Sequence, residues 1–130
     1  MIVVDASIIL ELTLQTPAAS AIEQRLFRNE DVLHAPHLID IEVLQVLRRY
    51  AARGAISAHR GQLAVAVLAR FPMSRHPHEP LLPRIWALRA NLTAYDAAYV
   101  ALAEGLGCRL LSRDQALATA PVARHVVELI

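Results

Sequence analysis

Short apolar runs alternate with longer helical patterns along this chain. Residues 1–4 form a continuous run of Met, Ile and Val, and comparable runs lie at residues 32–35, 108–111 and 126–129. Runs of this length and type are typical of strands buried on both faces of a parallel sheet. A weaker run at residues 71–76 is compatible with one more strand. The pattern predicts about five short parallel strands.

Helical spacing and capping residues predict the helices that connect these strands. Thr16 followed by Pro17 is typical of a helix start, and Ser112 with Gln115 has the spacing of a capping box. Ser57 is a further candidate cap. Together with apolar spacing, these signals predict helices over residues 8–13, 16–29, 38–53, 57–70 and 81–90, one from 93 that ends at Gly105 or Gly107, and a last one from about 112. Strands that alternate with helices predict an α/β fold.

The composition predicts one globular domain over residues 1–130. Hydrophobic residues make up 55% of the chain and the mean hydropathy is +0.36, so a sizeable core can be buried. No run is long enough to cross a membrane, and no basic leader precedes the first apolar run. The single cysteine, Cys108, cannot form an internal disulfide, which is compatible with a reducing compartment. We therefore expect a soluble cytoplasmic protein.

Four acidic residues occupy related positions in this predicted fold. Asp5 directly follows the first predicted strand, and Asp114 follows the fourth. Glu42 and Asp96 lie near the starts of the two helices most suited to flank them. In an open parallel sheet these positions fall on one edge, where four carboxylates would repel one another without a cation. All-oxygen ligands indicate Mg²⁺ or Mn²⁺ as the ion.

Each acid also has a purely structural interpretation. Asp96 can close a capping box with Thr93, and an acid in a first turn, such as Asp114, is favoured by the helix dipole. Asp40 and Glu42 are two residues apart and project about 200° apart around a helix, so they cannot easily share an ion. Glu42 lies nearer the apolar stripe and needs a partner there, whereas Asp40 can remain solvated. We therefore assign Glu42, not Asp40, to the site.

Such a site can hydrolyse a phosphodiester bond with a metal-activated water. Because this water replaces the 2′-hydroxyl as nucleophile, the expected products carry 5′-phosphate and 3′-hydroxyl ends. The net charge is only +1, but all 13 basic residues are arginines, and assigning four of the 12 acids to the site leaves eight acids on the rest of the surface. Arg75, Arg89 and Arg113 flank the site-bearing segments and are candidate contacts to the RNA backbone. Aromatic stacking is a less suitable binding mode, since aromatic residues make up only 5% of the chain.

In this order the motifs resemble those of a known family. The chain contains Asp5-x-Ser7, then Glu42, then the block TAYDAAYVALA from Thr93 to Ala103, and finally Ser112-Arg113-Asp114. The arrangement is similar to that of PIN-domain ribonucleases, most closely the VapC toxins of bacterial type II toxin–antitoxin pairs. The resemblance extends over nearly the whole chain.

The resemblance implies roles for individual residues and partners. Asp5, Glu42, Asp96 and Asp114 match the family's acidic metal-binding quartet and would be the catalytic residues. Ser7 matches a supporting hydroxyl, and Ser112 replaces the commoner Thr without losing the hydroxyl. The resemblance further implies a three-layer α/β/α sandwich, Mg²⁺ or Mn²⁺ dependence, an RNA substrate, a homodimer and inhibition by a VapB-like antitoxin.

Other classes of protein compete with this interpretation, and they fall into three groups. Receiver domains and dehalogenase-type phosphatases also place an Asp after the first strand, but both need a Lys, and this chain has none. A metal-free ribonuclease would use histidines, for which His34 with His37 and His76 with His78 are the close pairs in sequence. A non-catalytic RNA- or protein-binding module of the same fold is the third alternative, with the acids serving only as helix caps.

Overall fold

The computed structural model describes all 130 residues as five strands and seven α-helices. The strands are β1 (Ile2–Val4), β2 (Leu33–Pro36), β3 (Met73–His76), β4 (Arg109–Ser112) and β5 (Val127–Leu129). The helices are α1 (Ala6–Leu14), α2 (Ala19–Arg28), α3 (Leu38–Ala52), α4 (Ala58–Ala69), α5 (Leu82–Ala87), α6 (Ala94–Leu106) and α7 (Gln115–Thr119), with a 3₁₀ turn (Glu79–Leu81) before α5. Every strand predicted from the apolar runs is present, with ends shifted by one or two residues.

The strands form one parallel sheet in the order β3-β2-β1-β4-β5. Helices α1, α3 and α4 contact one another, while α6 contacts β1, β2 and β4 and packs against α5. The predicted three-layer α/β/α sandwich is confirmed. No helix is both long enough and apolar enough to cross a membrane.

The core is built around β1 and α6. Ile2, Val3 and Val4 are at most 1% exposed, as expected for a central strand covered on both faces. Helix α6 buries every residue from position 97 to 103, four of which are alanines. Their small side chains allow the helix to lie close to the sheet. This contact holds the first turn of α6, which carries Asp96, near the end of β1.

Two predicted helix starts are wrong because other groups take up the capping side chains. Helix α2 begins at Ala19 with no side-chain cap, since the Thr16 hydroxyl donates instead to the Glu11 carboxylate. The capping box of Ser112 and Gln115 does not form. Asp114 caps α7 itself, and its Oδ1 accepts the Leu117 N–H at 3.0 Å.

Other predicted helix ends are confirmed. The Ser57 hydroxyl accepts the Arg60 N–H at the start of α4, and the Thr93 hydroxyl accepts the Asp96 N–H at the start of α6. Helix α6 ends at Gly107, whose φ of +65° lies in the left-handed region that favours glycine. The Thr93 N–H does not donate back to Asp96, so the capping box is open and this carboxylate is not used as a cap.

Candidate active site

The site lies at the carboxyl ends of the two central strands. Val4 of β1 pairs with Leu111 of β4, so Asp5 and Ser112 leave neighbouring strands side by side. After β1 the chain continues towards β2 on one side, whereas β4 lies on the other side. In open α/β sheets such a change of direction leaves a crevice beyond the strand ends, where ligands bind.

Asp5 is a fixed carboxylate at this edge. It caps α1, and its Oδ1 accepts the backbone N–H groups of Ser7 at 3.0 Å and Ile8 at 3.3 Å. The hydroxyls of Ser7 and Ser112 donate to Oδ1 and Oδ2 respectively. Burial raises the pKa of Asp5, and these hydrogen bonds partly oppose the shift. The side chain is thus rigidly oriented while its negative charge remains unpaired.

Both serine hydroxyls also accept hydrogen bonds from the segment that follows β4. The Ser7 hydroxyl accepts the Arg113 N–H at 2.9 Å, and the Ser112 hydroxyl accepts the Asp114 N–H at 3.0 Å. Each hydroxyl therefore connects Asp5 to the segment that carries Asp114. Because only Oδ1 of the exposed Asp114 side chain is used in capping α7, its other oxygen faces no donor of the protein.

Glu42 on α3 and Asp96 on α6 complete the acidic group. Burial and the charges of Asp96 and Asp5 raise the pKa of Glu42, while the Tyr99 hydroxyl lowers it. Burial and the charge of Asp114 raise the pKa of Asp96, and Thr93 lowers it. Neighbouring acids therefore repel one another. The charge of Asp114 acts on Asp96, and the charges of Asp96 and Asp5 act on Glu42. No arginine contributes to any of these shifts, so the repulsion is not compensated.

The donor set suits a hard divalent cation, although the side chains are not yet gathered around one point. No group of three or more His, Cys, Asp or Glu side chains is placed to hold a metal ion in this arrangement. Oε1 of Glu42 is buried and has no hydrogen-bond partner, which is unfavourable for a carboxylate. A cation bound between these carboxylates would give Oε1 of Glu42 a partner and would also offset the repulsion between the carboxylates.

Asp40, the neighbouring acid on α3, points elsewhere. It forms a two-point ion pair with Arg75 of β3, in which Nε lies 2.8 Å from Oδ2 and Nη2 lies 3.0 Å from Oδ1. Asp40 is not among the charges that shift the pKa of Asp5, Glu42 or Asp96. The angular separation predicted for Asp40 and Glu42 is therefore present in the fold.

The three arginines predicted to contact RNA differ in their surroundings. Arg75 is held by Asp40 and also donates to the Leu68 carbonyl at 2.9 Å. Arg89 lies over the Trp86 ring, 4.4 Å from its centroid. Arg113 has only a loose partner, with its Nε 3.5 Å from Glu11 Oε1. Their contact with RNA stays a prediction.

The histidines pair differently in space from the way they pair in sequence. Nδ1 of the buried His34 lies 2.9 Å from Nε2 of His76, and the His37 ring faces the His78 ring with centroids 6.1 Å apart. Nε2 of His78 accepts the Leu38 N–H at the start of α3. The spatial pairs are therefore His34 with His76 and His37 with His78, and not the neighbours in sequence.

One residue of this region was missed by sequence reasoning. Tyr99 is only 2% exposed, and its buried hydroxyl has no hydrogen-bond partner. Its pKa is raised by burial and by the charges of Glu42, Asp5 and Asp96, so three of the four acids act on it electrostatically. The available signal was its position three residues after Asp96, which places both side chains on one face of α6.

Comparison with known proteins gives the family. A model of the PIN domain matches residues 2–122. Ribonuclease VapC12 of Mycobacterium tuberculosis is 43% identical over 130 residues, which cover 100% of this chain and 99% of that protein. Ribonuclease VapC9 of the same species is 45% identical over 114 residues, covering 88% of this chain and 86% of that protein.

A solved structure with low sequence identity has the same fold. The structure of VapBC2 from Rickettsia felis, bound to a DNA fragment from its promoter, superposes with a TM-score of 0.71 at 10% identity. The match covers 100% of this chain and 99% of that one. With the family model and the close relatives, the conclusion is that this chain belongs to the PIN-domain family, among the VapC ribonucleases.

Proposed function

We propose that this chain is the toxin of a type II toxin–antitoxin pair and hydrolyses RNA with Mg²⁺ or Mn²⁺. The observation that carries the proposal is the electrostatic linkage of Asp5, Glu42, Asp96 and Asp114 at one edge of the sheet, without a compensating arginine. Such a group is unfavourable in an enzyme that needs no cation. It is well suited to one that binds a divalent ion beside a phosphodiester.

The four acids have different tasks in this proposal. Asp5 is an oriented ligand, because hydrogen bonds fix both of its oxygens. Glu42 and Asp96 supply oxygens whose raised pKa values fall when a cation is bound, so both lose any proton they hold. Asp114 offers the oxygen that does not cap α7. The bound ion supplies an activated water and a Lewis acid for the phosphoryl group.

RNA is the proposed substrate because the relatives are ribonucleases and because the chain offers arginines close to the site. Arg113 directly precedes Asp114, and its side chain is 37% exposed. We infer that its guanidinium contacts a phosphate next to the bond that is cut. Metal-activated water leaves 5′-phosphate and 3′-hydroxyl ends, since the 2′-hydroxyl takes no part.

The partner proposed for this chain is a VapB-like antitoxin. The structurally similar protein from Rickettsia felis is described as VapBC2 bound to promoter DNA. We extend the antitoxin partner from that protein to this one, together with action in the cytoplasm. The homodimer implied by the family resemblance stays a prediction.

Cleavage of total cellular RNA by the purified protein tests the proposal. The reaction is run with Mg²⁺ or Mn²⁺, with EDTA, and with an identically purified Asp5→Asn variant, and the fragment ends are sequenced. We expect metal-dependent cuts with 5′-phosphate ends that the variant does not make. Products with 2′,3′-cyclic phosphates, or cleavage that persists in EDTA, would contradict the mechanism and favour the histidine-based alternative.

A non-catalytic RNA- or protein-binding module is a second candidate. It is favoured by one observation, the lack of three suitable side chains already placed to hold an ion. In that case the Asp5→Asn and Asp96→Asn variants would keep both the metal affinity and the cellular effect of the unaltered protein. If these variants lose the metal affinity or the cellular effect, the nuclease is favoured over the binding module.

A further inference from the structure

The acidic site contains two buried polar atoms without a hydrogen-bond partner. They are Oε1 of Glu42 on α3 and the hydroxyl of Tyr99 on α6, and neither has a hydrogen-bond partner. A buried donor or acceptor without a partner is unfavourable, so native folds rarely keep one. The Tyr99 hydroxyl lies close enough to Glu42 to lower the pKa of its carboxyl, so one hydrogen bond between the two groups would satisfy both atoms.

The surroundings of Tyr99 make its hydroxyl a donor. The side chain is 2% exposed, and the negative charges of Glu42, Asp5 and Asp96 all act on it. A tyrosine hydroxyl has an ordinary pKa of about 10, so at neutral pH it carries a proton that it can donate to a carboxylate. The hydroxyl also favours the ionised form of Glu42, although the two groups do not yet have hydrogen-bond geometry.

We propose that Tyr99 is a positioning residue whose hydroxyl donates a hydrogen bond to Glu42 and turns this carboxylate towards Asp5 and Asp96 for ion binding. The inference rests on the proposed function and assigns to Tyr99 a part in the same site. Tyr99 itself contacts no substrate in this account.

A neutral donor has an advantage at this position. An arginine or lysine beside Glu42 would orient the carboxylate but also neutralise it, which would weaken its attraction for a cation. A tyrosine hydroxyl gives direction without adding positive charge. Groups that orient metal ligands in this way typically contribute about 10- to 100-fold to metal affinity or activity.

The matched variants are Tyr99→Phe and Tyr50→Phe. Each removes one hydroxyl, but Tyr50 lies further along α3, where its ring packs against Arg53, away from the acids. For Tyr99→Phe we expect Mn²⁺ affinity, measured by calorimetry on the whole protein, to fall about 10- to 100-fold. RNA cleavage should fall at low Mn²⁺ and recover at saturating Mn²⁺, with the KM for RNA unchanged. Tyr50→Phe should behave like the unaltered protein.

A double-mutant cycle separates positioning from a general structural effect. In a protein that already carries Glu42→Ala, Tyr99→Phe should change Mn²⁺ affinity less than twofold, because the hydroxyl no longer has its carboxylate. An undiminished effect in that background would overturn the inference. A Tyr99→Phe protein that fails to fold, as seen by thermal unfolding, would also overturn it, since the hydroxyl would then be structural.

The outcomes distinguish this inference from the function on which it rests. If the unaltered protein binds Mn²⁺ and cleaves RNA, and Tyr99→Phe does both equally well at every Mn²⁺ concentration, the inference fails and the proposed function stands. If the unaltered protein binds no Mn²⁺, both fail.

Discussion

The Ser112 hydroxyl donates a hydrogen bond to the Asp5 carboxylate and thereby joins the ends of the two central strands. The same oxygen accepts the Asp114 N–H. One completely buried hydroxyl therefore sets the position of two members of the acidic group relative to each other. This relationship depends on the pairing of β1 with β4, which brings residues 107 positions apart in sequence into contact.

Replacing Ser112 by Ala should weaken both the fold and the site. The change leaves one oxygen of Asp5 and the Asp114 N–H without a partner, which costs about 1–3 kcal/mol of unfolding free energy for buried groups. It should also raise the pKa of Asp5 further, because the Ser112 hydroxyl lowers it. Urea unfolding and Mn²⁺ affinity measure the two effects. Ser74→Ala, on an exposed position of β3, is the matched control and should change neither.

Removing one negative charge from the site should stabilise the metal-free protein at neutral pH. Glu42→Gln mimics the protonated acid and relieves the repulsion that raises the pKa of Glu42, so we expect a gain of about 0.5–2 kcal/mol. A raised pKa means that the folded state binds the proton more tightly, so the penalty is greatest when Glu42 is ionised. The gain should therefore shrink as the pH falls from 7 towards 5.

The quantity to follow is the difference in unfolding free energy between Glu42→Gln and the unaltered protein. Burial lowers the pKa of His34, which makes the fold lose stability as the pH falls below the ordinary histidine value, in both proteins alike. Urea unfolding in EDTA at several pH values gives the difference directly. Glu30→Gln, at an exposed position, should give no such trend. A gain that stays constant or grows towards pH 5 would contradict the account.

Arg113→Ala should weaken RNA binding without changing which RNA is preferred. A phosphate contact contributes through counterion release, so the slope of binding against salt should decrease by about one. The measurement uses EDTA to prevent cleavage. Arg124→Ala is the control. Arg124 is exposed and precedes β5, so it lies at the amino ends of the parallel strands, whereas the site lies at their carboxyl ends. An unchanged slope would remove Arg113 from the RNA interface.

Much of the site follows from rules that act locally in sequence. The apolar runs end where the strands end, so Asp5 and the segment around Asp114 could be placed at one edge of a parallel sheet. The choice of Glu42 over Asp40 needed only the rotation per residue of a helix, and in the fold Asp40 pairs with Arg75 instead. The positions of these residues in the fold follow from local geometry, whereas their roles as metal ligands stay predictions.

Features that depend on tertiary partners could not be predicted in the same way. The strand order was not predictable from the runs, since each run is compatible with any place in the sheet. Ser112 was predicted as a helix cap, but its hydroxyl is taken by Asp5, a distant partner in sequence. Tyr99 has the pattern of a buried helix face, and only the fold brings its hydroxyl to Glu42 and shows that both atoms lack a partner.

Titration of the metal-free protein with Mn²⁺, followed by calorimetry, shows whether the four carboxylates form a metal site. The unaltered protein is compared with Glu42→Gln and with Asp40→Asn. Asp40 lies on the same helix as Glu42, but its carboxylate pairs with Arg75 and not with the site. We expect saturable binding by the unaltered protein and by Asp40→Asn, and binding at least tenfold weaker by Glu42→Gln. Equal affinity in all three proteins, or no binding by the unaltered one, would contradict the claim that these carboxylates form a metal site.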